Sequence, residues 1–182
     1  MTRKTHKGLG VFEPFLILGL MAAIVIYAVN VLNTHDWLWF TSQATEIRPT
    51  RMVLVDRGQR TTIVPGHPDF NELSTALSQS LAELGNTNLI DVGLSAETLD
   101  YYNQHGVVLE VYFDRPVQYH ASFRVGDPTQ ILIPVEGRHA GSGYFFRGAQ
   151  GQWWFGALRM ADPQPLYTVL QNMGFPVQVV NK

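Results

Sequence analysis

The run VFEPFLILGLMAAIVIYAVNVL, residues 11–32, decides how the rest of the chain is arranged. Its only charged side chain is Glu13, close to the N-terminal end. As an α-helix rising about 1.5 Å per residue, the run would cover about 33 Å, enough to cross the hydrocarbon core of a bilayer. The sequence therefore predicts a transmembrane helix over residues 11–33, with everything that follows on one side of a membrane.

The two flanks of this run differ in charge and in aromatic content. Residues 1–10 form a tail whose only charged residues are basic, namely Arg3, Lys4 and Lys7. The positive-inside rule places such a tail in the cytoplasm. The other flank carries Trp37, Trp39 and Phe40, and aromatic rings of this kind favour the membrane–water interface. We expect a cytoplasmic N-terminus and a C-terminal domain outside the cytoplasm, in the periplasm or the extracellular space.

Two other interpretations of the run are weaker. A cleaved signal peptide has an apolar core of about 7–15 residues followed by a small-x-small cleavage site. The nearest such triplet, Ser42-Gln43-Ala44, lies well beyond the run. The core helix of a soluble protein would keep a polar face, and this run is apolar all round. Glu13 suits the first helical turn, where a carboxylate favours the helix dipole, better than an ion site deep in the bilayer.

The small residues Gly19, Ala22 and Ala23 are spaced so that they permit close packing with another transmembrane helix. Residues 34–50 are expected to form an interfacial segment and linker, whose part 41–50 reaches at most about 35 Å. Residues 51–182 have a normal length for one domain. The domain is therefore expected to work at the membrane surface, with the lipid bilayer and other membrane proteins as its surroundings.

The composition of the chain excludes several function classes. The chain has 13 basic and 15 acidic side chains. Three basic residues lie in the tail, and only Glu13 and Asp36 are acidic before residue 41, so the remainder has a formal charge of −3. This balance argues against nucleic-acid binding, which needs a clustered basic face. Because the chain has no cysteine, thiolate catalysis, disulfides and cysteine-ligated metal centres are excluded.

The pattern of the remaining sequence predicts an α+β domain. Short alternating or β-branched runs predict strands over residues 51–56, 59–64, 107–114, 117–125, 130–135, 144–147 and 152–160. Amphipathic runs predict three helices, over residues 70–84, 95–105 and 165–173. Pro134 favours an edge or an end for its strand. Since the helices are separate from a run of consecutive strands, we expect a mostly antiparallel sheet with the helices on one face.

Histidine and carboxylate positions do not indicate a catalytic or metal site. His67, His105 and His139 fall in predicted loops and His120 on the polar side of a strand, without the short spacings of metal ligands. Glu110 would face His120 across the sheet, and cross-strand polar pairing explains that arrangement without an acid–base role. The sequence therefore predicts no catalytic residue, no metal site and no cofactor.

Two features point to contacts with another protein. The last predicted hairpin carries consecutive aromatics that point to both faces of the sheet, so Phe145, Trp153 and Phe155 need a helix, the membrane surface or a partner. Burial under the C-terminal helix is the alternative. The glycine-rich loop before the hairpin lacks the spacing of a nucleophile elbow or a phosphate loop. Its Arg138 and His139 are further candidate partner contacts.

These observations favour one function over two others. The main hypothesis is a non-catalytic accessory, assembly or scaffolding subunit of a bacterial membrane complex, anchored by a single helix. The alternative is a sensor that binds an unknown small molecule in a pocket near Trp153 and Trp154. A third hypothesis, an envelope hydrolase using Glu110 or His120, has the least support because the required geometry is not indicated.

Overall fold

The computed structural model describes residues 12–40 and 45–178. The predicted cytoplasmic tail 1–10, Val11, the Ser42-Gln43-Ala44 triplet with Thr41, and residues 179–182 lie outside the described residues. The elements follow in the order α1 (Phe12–Thr34), β1 (Arg51–Asp56), β2 (Gln59–Ile63), α2 (Phe70–Ser80), α3 (Ala96–Gln104), β3 (Val107–Tyr112), β4 (Gln130–Glu136), β5 (Tyr144–Ala149), β6 (Gln152–Arg159) and α4 (Gln164–Asn172).

The six strands form one antiparallel sheet in the order β2-β1-β3-β4-β5-β6. The predicted α+β class is confirmed, and two hairpins are present, β1 with β2 and β5 with β6. Arg57 and Gly58, with φ of 45° and 89°, close the first hairpin, and Gln150 and Gly151, with φ of 53° and 76°, close the second. Positive φ at both turn positions is the requirement of a two-residue hairpin whose twist matches its strands.

Helices α2 and α4 pack together on the first face of the sheet. The apolar positions of α2 that repeat at helical spacing are buried there, including Leu73 and Leu77. Leu166 and Leu170 of α4 are buried in the same core. This is the face that the helical periodicity predicted.

Helix α3 lies on the opposite face, so the expectation that all helices share one face is wrong. Its Tyr102 is buried in a second core with Val55 and Val108. Ser95 caps the N-terminus of this helix, since its Oγ accepts a hydrogen bond from the backbone N–H of Thr98 at 3.2 Å. Because helices cover both faces of the sheet, β3 is buried along most of its length. A strand with one face in water would instead have every second side chain exposed.

The predicted strand over residues 117–125 is not a strand. β3 pairs directly with β4, and the chain between them follows an irregular path. The alternation in this segment is nevertheless real, because Val117, Tyr119, Ala121 and Val125 are buried in the first core. Period-two burial therefore identified an extended segment that covers the sheet, without the hydrogen bonds that would place it in the sheet.

The end of α2 and the position of Pro134 also differ from the prediction. Helix α2 ends at Ser80 rather than near Gly85, because the chain after it turns to run beside β6 through an isolated bridge between Leu84 and Met160. Pro134 lies in an interior strand, yet β4 pairs with β5 only over Gln130 to Leu132. The proline therefore falls where that side of β4 has no ladder partner, which is the condition that a proline needs.

Candidate membrane anchor and interaction surfaces

Helix α1 is the one helix in the described residues that is long and apolar enough to cross a membrane. It has 23 residues, and none of them is buried against the domain. A signal sequence near an N-terminus can meet the same criteria of length and hydropathy, so the helix is by itself weak evidence for a membrane anchor. The candidate packing residues Gly19, Ala22 and Ala23 are exposed, and nothing lies within 4 Å of a Cβ placed on Gly19.

The segment after α1 folds back along the helix that precedes it. Tyr27 donates its hydroxyl to the carbonyl oxygen of Trp37 at 3.0 Å, and its ring meets Phe40 edge-on at 6.4 Å. Trp39 packs edge-on against Phe40 at 5.8 Å. Trp37 and Phe40 remain exposed. The three predicted interfacial residues thus lie together with Tyr27, beside the last two turns of α1.

A hydrogen-bonded contact between two side chains joins this segment to the domain. Asp36 Oδ2 lies 2.8 Å from His120 Nδ1, and the two side chains are only 15% and 20% exposed. The other carboxylate oxygen, Oδ1, accepts the backbone N–H of Leu38 at 2.8 Å. His120 was expected to face Glu110 across a sheet, and that expectation is wrong because segment 117–125 is not in the sheet. The contact spans 84 positions in the sequence, and no local pattern indicates it.

The aromatic hairpin is divided between the two cores and the surface. Phe145 and Phe146 are both completely buried, in the first and second core respectively. Phe145 packs against the ring of Tyr119 at 5.7 Å, so the interpretation of Phe145 as a partner contact is wrong. Trp153 is half-buried against the second core. Burial on both faces of the sheet therefore explains why consecutive aromatic residues such as Phe145 and Phe146 occur in this hairpin.

Phe155 is the aromatic of this hairpin that stays at the surface, with 68% of its area exposed. A Cβ added to Gly93 would lie 2.6 Å from Phe155 Cδ2. The backbone of residues 92 and 93 therefore supports the ring closely, and only glycine leaves room for it there. Phe155 is therefore an exposed ring that lies close against the backbone of the domain, outside both cores.

The loop residues Arg138 and His139 pack against the domain. Arg138 donates to Glu97 at 2.6 Å and its guanidinium lies over the ring of Tyr101 at 5.2 Å. His139 lies against Phe146, and its pKa is lowered, first by burial and second by the charge of Arg138. Both residues therefore have intramolecular roles, and Arg138 is the more exposed of the two.

Glu110 is buried rather than on an open face. It accepts hydrogen bonds from Arg60 at 2.6 Å and from the Tyr112 hydroxyl at 2.8 Å. Burial, followed by this hydrogen bond to Glu110, raises the pKa of Tyr112 to about 12. The carboxylate thus has a charged partner on β2, two strands away, and a phenol partner on its own strand, in place of the predicted cross-strand pair with His120.

Arg147 is a buried cation that the sequence analysis did not single out. It is 4% exposed, and its guanidinium donates to the carbonyl oxygens of Val125, Phe155 and Gly156. No carboxylate pairs with it among the described residues, and burial lowers its pKa. A lone charge inside the apolar strand YFFRGA was the available signal. Its contacts tie segment 117–125 to the two last strands, which is a structural role.

The surface of the described residues includes the following three cavities. One of about 810 Å³ separates residues 46–50 from the loop 113–120, and one of about 510 Å³ lies between α2 and α4. The third, of about 210 Å³, is lined by Thr45, by residues 82–87 and by the loop beside His120. None of the three is lined by Trp153 or Trp154, where the sensor hypothesis placed its pocket.

In the part of the chain that the structure describes, no three histidine, aspartate or glutamate side chains gather so that they could hold a metal ion. His67 lies beside Asp69, and His105 stacks on Tyr101. Comparison of the chain with models of protein families, with curated proteins and with solved structures finds no match in any of the three. The function is therefore inferred from helix α1, from the contact between Asp36 and His120 and from the exposed surfaces.

Proposed function

We propose that this chain is a single-pass membrane protein whose α+β domain binds other proteins, as a non-catalytic accessory, assembly or scaffolding subunit of a membrane complex. Its N-terminus would lie in the cytoplasm and its domain outside the cytoplasm. The observation that carries the proposal is the contact between Asp36 and His120. Through it, the segment that leaves the apolar helix α1 is bound to the domain.

This contact supports work at the membrane surface. A domain on a free linker samples many orientations, whereas a pair of side chains with little exposure favours one orientation. The aromatic rings next to Asp36 belong at the level of the lipid headgroups. A domain held in this way would present the same surface to every neighbour in the plane of the membrane, which suits an assembly subunit.

Phe155 is the centre of the proposed partner surface. Exposing an aromatic ring to water is unfavourable by about 25 cal/mol for each Å² of apolar area, so a partner that covered it would gain that free energy. Half-buried Trp153 lies on the same strand, two residues before Phe155. Arg138 is a further candidate polar contact, although its present partners are Glu97 and Tyr101.

The proposal is tested by the composition of the complex that mild detergent extracts. We expect the wild-type chain to have a native mass above that of its own oligomer and to contain a second protein. Phe155→Ser should release that protein and leave the unfolding midpoint unchanged, because the ring is largely exposed. Val64→Ser is the matched control, since Val64 is also exposed and follows β2 at the other edge of the sheet.

Two results would contradict the proposal. One is a wild-type preparation that contains this chain alone at native expression. The other is a second protein that Phe155→Ser and Val64→Ser release to the same extent, because the contact would then not be centred on Phe155.

A further inference from the structure

The two edges of the sheet are treated differently by the fold. The edge strand β6 is covered by the segment after α2, through hydrogen bonds from Gly85 to Arg159 at 2.8 Å, from Ile90 to Ala157 at 2.9 Å and from Gly156 to Val92 at 3.1 Å. The edge strand β2 is paired only with β1 within residues 12–40 and 45–178. An uncovered edge is a template for another strand.

The register of the first hairpin defines which backbone groups of β2 are free. Asp56 pairs with Gln59 across a two-residue turn, and such a closing pair exchanges hydrogen bonds. Because hydrogen-bonded and non-hydrogen-bonded pairs alternate, Thr61 bonds to β1, while the N–H and C=O groups of Arg60 and Thr62 point away from it. Two donors and two acceptors are thus aligned along the open edge.

From this edge we infer that β2 pairs antiparallel with β2 of a second copy of this chain, to give a two-fold dimer with a continuous sheet. A symmetric pairing centred on Thr61 places Arg60 opposite Thr62 of the second copy, and Thr62 opposite its Arg60. All four outward-pointing groups of each strand then have partners. The strand from Gln59 to Ile63 overlaps along its whole length.

Charge and side-chain type favour this register over its neighbours. A pairing centred on Arg60 would place two arginines opposite each other, and like charges in that position are destabilising. A pairing centred on Thr62 would use Val64, which lies beyond the strand and precedes Pro65. In the register centred on Thr61, the two Thr61 side chains face each other, a favourable cross-strand pair.

A strand edge of five residues buries much less than the ~1,000 Å² that a stable interface between free proteins needs. Confinement of both copies to one membrane would raise their effective concentration and compensate for the small area. This point rests on the membrane anchoring proposed above, whereas the register and the charge pattern do not. The dimer is therefore tested with the full-length chain in its membrane.

The natural chain has no cysteine, so a single introduced thiol reports the pairing. In the proposed register the two Thr61 residues form a non-hydrogen-bonded pair with Cα atoms ~4.5 Å apart, within the range of a disulfide. Thr61→Cys should give a disulfide-linked dimer under a mild oxidant. Thr62→Cys is the control, because its Cα atoms would be ~8 Å apart, beyond disulfide reach.

A second set of variants separates pairing from folding defects. In the Thr61→Cys chain, Thr62→Glu would face Arg60 of the second copy and should raise the cross-linked yield about threefold or more, while Thr62→Arg should lower it by a similar factor. Thr62→Val, which keeps the backbone N–H, should leave the yield near that of Thr61→Cys alone. A loss of folding could not produce opposite changes at one position.

Equal cross-linking of Thr61→Cys and Thr62→Cys would overturn the inference, because it would indicate random collision. A Thr61→Cys chain that stays monomeric, or that links to a different protein, would overturn it as well. Extraction of the uncross-linked protein with alkaline carbonate tests the anchor separately. Release by carbonate together with specific Thr61 cross-linking would contradict the membrane proposal and leave the dimer supported.

Discussion

Replacing Asp36 by alanine tests whether the anchor segment is bound to the domain. Asp36 lies before residue 41, outside the sheet domain, so a domain on a free linker would not depend on it. In the structure it is joined to His120 at 2.8 Å with both side chains largely shielded from water. We therefore expect Asp36→Ala to lower the free energy of unfolding of the domain, although the substitution lies outside it.

The magnitude follows from the type of contact. A hydrogen bond to a charged group contributes about 1.5–3 kcal/mol net, and exposure of 15% and 20% leaves little room for screening by solvent. For a domain of this size, such a loss corresponds to a fall of about 5–10 °C in the midpoint of thermal unfolding. The hydrogen bond from the backbone N–H of Leu38 to Asp36 adds a contribution from within the segment itself. A double-variant cycle with His120 separates that contribution from the contact between the two side chains.

The assay is thermal unfolding of the full-length chain in mild detergent, followed by circular dichroism. Asp36→Ala, His120→Ala and the double variant form a cycle, and we expect a coupling free energy of about 1.5 kcal/mol between the two positions. Asn33→Ala, at an exposed position of α1, should leave the midpoint unchanged. The reasoning is refuted if Asp36→Ala changes stability by less than about 0.5 kcal/mol, or if the two single effects simply add.

Three further predictions concern the domain itself. Phe145→Ala should destabilise it by about 3–5 kcal/mol in chemical unfolding, since the ring is fully buried. Phe155→Ala should change stability by less than about 0.5 kcal/mol. Equal effects would contradict the placement of Phe145 in the core and Phe155 at the surface. Arg147→Met should cost about 2–5 kcal/mol in the same assay because it leaves buried carbonyl oxygens without donors; an unchanged midpoint would show that they are not buried. The raised pKa of Tyr112, about 12 against the ordinary 10.0, stabilises the folded state fully below pH 10, and this stabilisation is lost as the pH rises from 10 to 12. Stability profiles should therefore fall less steeply over pH 10–12 for Tyr112→Phe than for the natural chain, and identical slopes would refute the assignment.

The architecture was largely predictable because each element had a local signal. The hairpin around Arg57-Gly58, the amphipathic helix α2 and the Ser95 cap depend on neighbouring residues, and a local pattern is sufficient to indicate them. The prediction of a strand over residues 117–125 was wrong for a physical reason. Alternating burial indicates that a segment is extended and covers a core, but it carries no information on whether backbone hydrogen bonds join it to a sheet.

The candidate surfaces were less predictable because they depend on contacts distant in sequence. The consecutive aromatic residues indicated that some rings must lie outside one core. Local periodicity did not indicate the second core under α3, where Phe146 and Trp153 pack. Phe155 lies outside both cores, and its role as a partner contact stays a prediction. No sequence pattern specified that Asp36 contacts His120, or that Arg147 donates to three carbonyl oxygens. Each of these contacts joins segments that only the fold brings together.

The orientation of the chain in a membrane is the most direct measurement of the proposed function. A single cysteine placed at Thr2 or at exposed Gln79 can be labelled with a maleimide that does not cross membranes, since the natural chain has no thiol. We expect label at Gln79→Cys on intact spheroplasts, label at Thr2→Cys only after permeabilisation, and a full-length chain that alkaline carbonate does not extract. Label at Thr2→Cys on intact spheroplasts, or a chain shortened at its N-terminus and released by carbonate, would contradict an anchored domain outside the cytoplasm.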